Sequence, residues 1–135
     1  MGVKVRRNMG RAMDGFVSRM FVPDELGDSI LTDQIQRLLA TIPLPDPDMA
    51  FRSLLSLAAA DMRPLLPEIS LPTLIINGDQ DRICLPQASA YLASSIKTSE
   101  HVVLQGCGHA PFLTRRGQFN EHIIAFGRRV FEHVG

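Results

Sequence analysis

Residues Leu71–Phe112 read LPTLIINGDQDRICLPQASAYLASSIKTSEHVVLQGCGHAPF, and two apolar runs within them decide the fold. The first, Thr73 to Asn77, opens into Gly78-Asp79-Gln80-Asp81; the second, His101 to Gln105, opens into Gly106-Cys107-Gly108-His109. Leu74-Ile75-Ile76, bounded by Pro72 and Gly78, predicts a strand buried on both faces of a parallel sheet. Pro86 begins a helix through Ala88, Tyr91 and Leu92, and Val102-Val103-Leu104 supplies the next strand. Strand, helix, strand is the unit whose crossover is right-handed and whose two strands run parallel. Parallel sheets place ligands beyond the carboxyl ends of their strands, so an acid and a histidine at two successive strand ends are expected to meet in one site.

A histidine acting as general base needs its imidazole held in one tautomer, and a carboxylate bonded to its other nitrogen does this. Asp81 and His109 are the expected pair, with Asp81 preferred to Asp79. Gly78 is expected to permit a sharp turn, and Gly106 and Gly108 to let the loop approach substrate without a Cβ in the way. Pro111 and Phe112 would fix and screen the histidine loop. A plainer account exists for each residue, since aspartates at strand ends often only shape turns and His109 would serve as a surface loop histidine. Their joint placement favours the catalytic reading. His101, His122 and His133 read as strand-start and helix-surface residues. Cys107 beside His109 suggests a thiol nucleophile, which is disfavoured because adjacent positions of one loop rarely supply both partners.

Outward from this stretch the chain is helical. Met9, Met13, Phe16, Val17 and Met20 recur at helical spacing and predict an amphipathic helix over Val3 to Phe21, ended by Pro23. Lys4, Arg7 and Arg11 lie along another face, with Arg6 and Arg19 nearby, as a solvated face or a docking strip for an acidic partner. Gly27-Asp28-Ser29-Ile30-Leu31 superficially matches the GDSL-type hydrolase signature, but no histidine has Asp three residues before it. Asp28 or Ser29 as the cap of a helix through Ile30, Ile35, Leu38 and Leu39 explains the same letters. Pro43, Pro45 and Pro47 make a linker or corner. Met49 to Met62 is a further helix, with Phe51, Leu54, Leu55 and Ala58 on one face, stopped by Pro64 and Pro67. A last helix from about Gln118 to Val134 is expected to bury Phe119, Ile123, Phe126 and Val130. Two strands do not make a stable doubly covered sheet. The C-terminal half therefore reads as one side of a larger α/β sheet whose earlier strands are not in this sequence.

Bulk properties narrow the classes. The chain has 135 residues, 45% of them hydrophobic and 21% charged, which suits one globular domain or part of a larger one. Lys+Arg 14 balance Asp+Glu 14, so global charge suggests neither nucleic acid nor an anionic membrane as partner. Cys84 and Cys107 make no disulfide framework and sit in no metal-ligand spacing, which points to a reducing, cytoplasmic setting. No apolar run approaches the ~20 residues that span a bilayer.

Gly78-x-x-Asp81-x-Ile83-x-x-Pro86 followed by Gly106-x-Gly108-His109-x-Pro111 resembles the acid and histidine motifs of the α/β-hydrolase superfamily, whose order is Ser, Asp, His. The resemblance covers about residues 65 to 134. Within the superfamily, the helical segment, the Ile42-Pro43-Leu44-Pro45 corner and His109-Ala110-Pro111-Phe112 are most similar to the pimeloyl-acyl-carrier-protein methyl ester carboxylesterases of biotin synthesis. The resemblance implies a partial α/β-hydrolase fold: residues 1–63 as a helical lid, and 64–135 as the last two parallel strands and their helices. It implies Asp81 as triad acid, His109 as base, an acyl ester substrate, no metal or organic cofactor, and Arg7 and Arg11, backed by Lys4 and Arg6, as contacts for an acidic acyl-carrier protein. No Gly-x-Ser-x-Gly elbow and no His-Gly oxyanion loop occur in these residues. The expectation is therefore the C-terminal part of a longer esterase, or a chain that assembles with a separate N-terminal half, with negligible activity alone. The rival expectation is a noncatalytic module that binds an acyl-carrier protein or self-associates through its open sheet edge. A dehalogenase or a carbon–carbon bond hydrolase of the same superfamily stays open too.

Overall fold

The structure, a computed structural model, describes residues 8–132. Helix α1 spans Met9–Met20, and its first turn is closed by Asn8, whose side-chain oxygen accepts from the Arg11 N–H at 2.9 Å. A short 3-10 turn, Pro23–Leu26, leads to α2, Ser29–Thr41. Asp28 caps α2 by accepting from the N–H groups of Ile30 and Leu31, so the GDSL-like letters encode a helix start. Asp46 caps α3, Pro47–Ala59, in the same way, with Pro47 at the first helical position where its missing N–H costs nothing.

A 3-10 turn at Arg63–Glu68 then hands the chain to β1, Thr73–Gly78, α4, Pro86–Ser95, and β2, Ser99–Leu104. A single turn, α5, Pro111–Thr114, precedes the long α6, Arg116–Glu132. The strands are parallel and in register from Thr73 opposite Ser99 to Gly78 opposite Leu104, so both following loops leave the sheet at one level. This is the α/β architecture expected, with helices first and the strand-helix-strand unit after them. α4 packs on both strands and α6 on β1.

The apolar cluster lies between the first two helices and the segment after His109. Phe21, Ile35 and Ala110 are buried, and Val17, Met20, Leu31, Leu39 and Leu113 pack around them. Each aliphatic side chain withdrawn from water in this way contributes ~1.5–3 kcal/mol when burial is complete. The cluster therefore ties residues far apart in the chain into one body at the histidine loop.

Burial elsewhere is lighter than the sequence pattern predicts. Leu74, Ile75 and Ile76 are half-buried, because a sheet of two strands among the described residues offers its faces to few neighbours. Leu55 on α3 and Ile123 on α6 are exposed, as is Ala58, where an apolar contact face was expected. Phe119, Phe126 and Val130 are half-buried. Beyond its own helical backbone and chain neighbours, Gly127, inside α6, has no atom within 4 Å of where a Cβ would sit. Gly127→Ala is expected to raise stability by ~0.5–1 kcal/mol, since only backbone entropy changes, read as a higher urea midpoint with an unaltered slope.

Candidate functional site

Two loops leave the sheet side by side, and backbone contacts hold them together. The Asp79 N–H donates to the Leu104 carbonyl at 3.0 Å and the Gln80 N–H to the Cys107 carbonyl at 3.0 Å. Asp79 turns its carboxylate to the neighbouring loop, accepting from the Cys107 N–H at 3.2 Å. Its task is stitching one loop to the next.

Asp81 bonds instead to the histidine ring. Its Oδ1 accepts from the N–H groups of Ile83 at 2.7 Å and Cys84 at 2.9 Å, which orients the carboxylate. Its Oδ2 lies 2.8 Å from His109 Nδ1. A carboxylate only accepts, so Nδ1 carries the proton and Nε2 of the neutral ring has a free lone pair. The Asp81 side chain is 4% exposed and that of His109 27%. The acid is thus sequestered while the imidazole can be reached. That arrangement can take a proton from a hydroxyl or thiol at Nε2 and hold the resulting imidazolium beside a carboxylate.

The glycines are required for reasons other than those expected. A Cβ on Gly78 would sit 2.1 Å from the Cys107 carbonyl oxygen and 2.3 Å from that of Gly108. Gly78 therefore permits the close approach of the two loops. Gly106 has φ +61, in the left-handed region. A Cβ on Gly108 would lie 2.4 Å from the Met20 carbonyl oxygen, so it admits the end of α1 against the histidine loop. Phe112 is 50% exposed, and its ring meets Phe119 edge-on with centroids 6.2 Å apart.

Cys107 is not a nucleophile. It is fully buried, its Sγ–H donates to Glu25 Oε1 at 3.1 Å, and burial together with that carboxylate pushes the thiol up to about 11. His101 sits on β2, with its Nε2 2.7 Å from Asn77 Oδ1 on β1, as a cross-strand contact. Arg11 is exposed on α1; Arg7, like Lys4 and Arg6, lies outside the described residues.

Glu25 was missed by sequence reading. It is 3% exposed, and its carboxylate accepts from four donors: the N–H groups of Val22 at 2.9 Å and Gly108 at 3.0 Å, the Cys107 thiol, and the Thr114 hydroxyl. Burial alone would raise its pKa, but the hydrogen bonds from Thr114, Val22, Cys107 and Gly108 outweigh it and hold the group below the usual carboxylate range. Nothing near Glu25 in sequence signals this, because three of its donors lie more than 80 residues away.

Residues 25–115 match the family model described as alpha/beta hydrolase fold. The chain belongs to that family. Among curated alpha/beta hydrolase relatives, it is 30% identical over 124 residues to a pimeloyl-acyl-carrier-protein methyl ester esterase of Nitrosospira multiformis, covering 92% of this chain and 47% of that protein. It superposes on a thermophilic esterase from Thermogutta terrifontis with TM-score 0.77 and 25% identity, covering 96% of this chain and 47% of the other. On the enol-lactonase from Burkholderia xenovorans LB400 the TM-score is 0.78 at 25% identity, with 93% and 47% covered. The chain spans about half the length of each of these three proteins. No helix among the described residues is long and apolar enough to cross a membrane.

Proposed function

We propose that this chain is the C-terminal portion of a serine-type carboxylic ester hydrolase and supplies its acid, Asp81, and its base, His109. The observation that carries the reading is the 2.8 Å contact from His109 Nδ1 to Asp81 Oδ2, made by a carboxylate whose other oxygen is already held by two N–H groups. His109 Nε2 takes the proton of a serine hydroxyl as that oxygen attacks the ester carbonyl. The same proton goes to the departing alcohol, leaving an acyl-serine, and water activated by His109 then releases the acid. Asp81 holds the ring and faces the imidazolium formed in each half.

The nucleophile belongs to a segment outside these 135 residues, since no Gly-x-Ser-x-Gly is present. Residues 1–63 act as the lid over the acyl pocket and 64–135 as the last part of the core. The relatives' name suggests a pimeloyl-acyl-carrier-protein methyl ester as substrate. An acidic carrier would dock on Arg7 and Arg11. A reducing cytoplasmic setting agrees with two free cysteines at Cys84 and Cys107.

The test joins this chain to the upstream half of the Nitrosospira esterase. The fusion is expected to turn over a short-chain aryl ester, and His109→Ala to lower its kcat by about 10^4-fold or more. The chain alone is expected to show no turnover. Robust hydrolysis by the chain alone, abolished by His109→Ala, would sink the proposal that the nucleophile lies elsewhere; a fusion that folds and stays inactive would sink the esterase reading. A second reading, a noncatalytic self-associating module, is favoured by the half-buried faces of β1 and the exposed Leu71, Leu55 and Ile123. A monodisperse dimer together with an inactive fusion would select it.

A further inference from the structure

We propose that Glu25 is a positioning residue for His109: by gathering four donors onto one buried carboxylate, it fastens the histidine loop to the chain leaving α1 and so sets the imidazole against Asp81. The functional consequence rests on the reading of His109 as base, whereas the fastening itself is a property of the chain as it stands.

The geometry is specific. Oε2 is shared by two main-chain N–H groups, those of Val22 and Gly108, one from each of the segments being joined. Oε1 is shared by the Cys107 thiol and the Thr114 hydroxyl, which lie on either side of His109 in sequence. A third tie runs parallel to these, from the His109 N–H to the Met20 carbonyl at 2.7 Å. The histidine is therefore bracketed. Gly108 before it and Thr114 after it are both bonded to Glu25, and its own backbone is bonded to the end of α1.

Only an acceptor with two oxygens can serve four donors in a buried site. Buried N–H groups left without an acceptor keep the full cost of their desolvation, so removing the carboxylate should release Gly108. Glutamine is instructive, because Thr114 also lies 3.3 Å from the Ala110 carbonyl. With Gln at position 25, the amide oxygen can stay on Val22 and Gly108. The amide N–H would then donate to Thr114, whose hydroxyl turns toward Ala110. The charge would be gone and the main-chain ties kept. Methionine, close to glutamate in length, keeps neither.

The experiment uses the 135-residue chain labelled with nitrogen-15, following the His109 Nδ1–H resonance and the exchange rates of the Gly108 amide and of the β1 and β2 amides. In Glu25→Met, Gly108 is expected to exchange about tenfold faster or more, and the Nδ1–H signal to be lost, with β1 and β2 exchanging as in the wild type. In Glu25→Gln, the Nδ1–H signal should persist and Gly108 should exchange within about threefold of wild type. The proposal is overturned if Met leaves both signals unchanged. It is equally overturned if Met accelerates β1 and β2 as much as Gly108, outright unfolding included, because Glu25 then serves the fold at large. Loss of the signal in Gln to the same extent as in Met also overturns it. No turnover is measured, so an inactive fusion leaves this result standing, and a negative result here leaves the esterase reading standing.

Discussion

In an esterase assembled around this chain, Asp81→Asn is expected to lower kcat about 10^4-fold with KM near wild type. The direction follows from which oxygen does what. Asp81 Oδ1 accepts from the N–H groups of Ile83 and Cys84, so an asparagine must place its carbonyl oxygen there to avoid setting N–H against N–H. Its amide nitrogen then occupies the place of Oδ2, 2.8 Å from His109 Nδ1, and donates to that nitrogen. The imidazole is forced into the other tautomer, with its proton on Nε2. A ring protonated at Nε2 has no lone pair for a serine proton, so the base is lost although the geometry survives. Stability should change little, because the three hydrogen bonds around residue 81 are all replaced. Nitrogen-15 shifts of the His109 ring check the tautomer and stopped-flow turnover checks the rate. Equal rates for Asp and Asn would mean that residue 81 only shapes its turn.

Gly78→Ala is expected to cost the fold ~3 kcal/mol or more, which is a large share of the 5–15 kcal/mol typical of a domain. The added Cβ would meet the Cys107 carbonyl oxygen at 2.1 Å, that of Gly108 at 2.3 Å, and the Cys107 carbonyl carbon at 2.5 Å. These are backbone atoms, and they cannot withdraw alone. Moving them strains the bond from the Gln80 N–H to Cys107, the bond from the Gly108 N–H to Glu25, and the bond from the His109 N–H to Met20. Urea unfolding of the chain measures the loss, with Gly127→Ala as the control for adding a methyl group where there is room. A midpoint for Gly78→Ala within experimental error of wild type would show that the two loops are not in contact through this residue.

Much of this was legible in the sequence, at particular places. TLIING announces a strand because a short unbroken apolar run ending in glycine suits a parallel strand, and β1 occupies Thr73–Gly78. Asp28 and Asp46 announce helix starts because a short acceptor beside free N–H groups is a local matter. The sequence offers Asp79 and Asp81 side by side in one turn, and the structure separates them by partner: Asp79 bonds to the Cys107 N–H, Asp81 to the His109 ring. The exposure of Leu55 and Ile123 was not legible, since periodicity marks a face as apolar without saying what covers it.

Local physics acts over a few residues, so strands, caps, turns and the spacing of the acid and histidine were determined by the sequence alone. Contacts between distant segments depend on how the chain folds back, and only the tertiary structure decided those. Glu25 reaches Gly108 across 83 positions, and Gly78 is glycine because of a carbonyl in another loop. No pattern within a window of residues carries that information, because the donors of Glu25 and the oxygens facing Gly78 become its neighbours only once α1, the sheet and the histidine loop have packed.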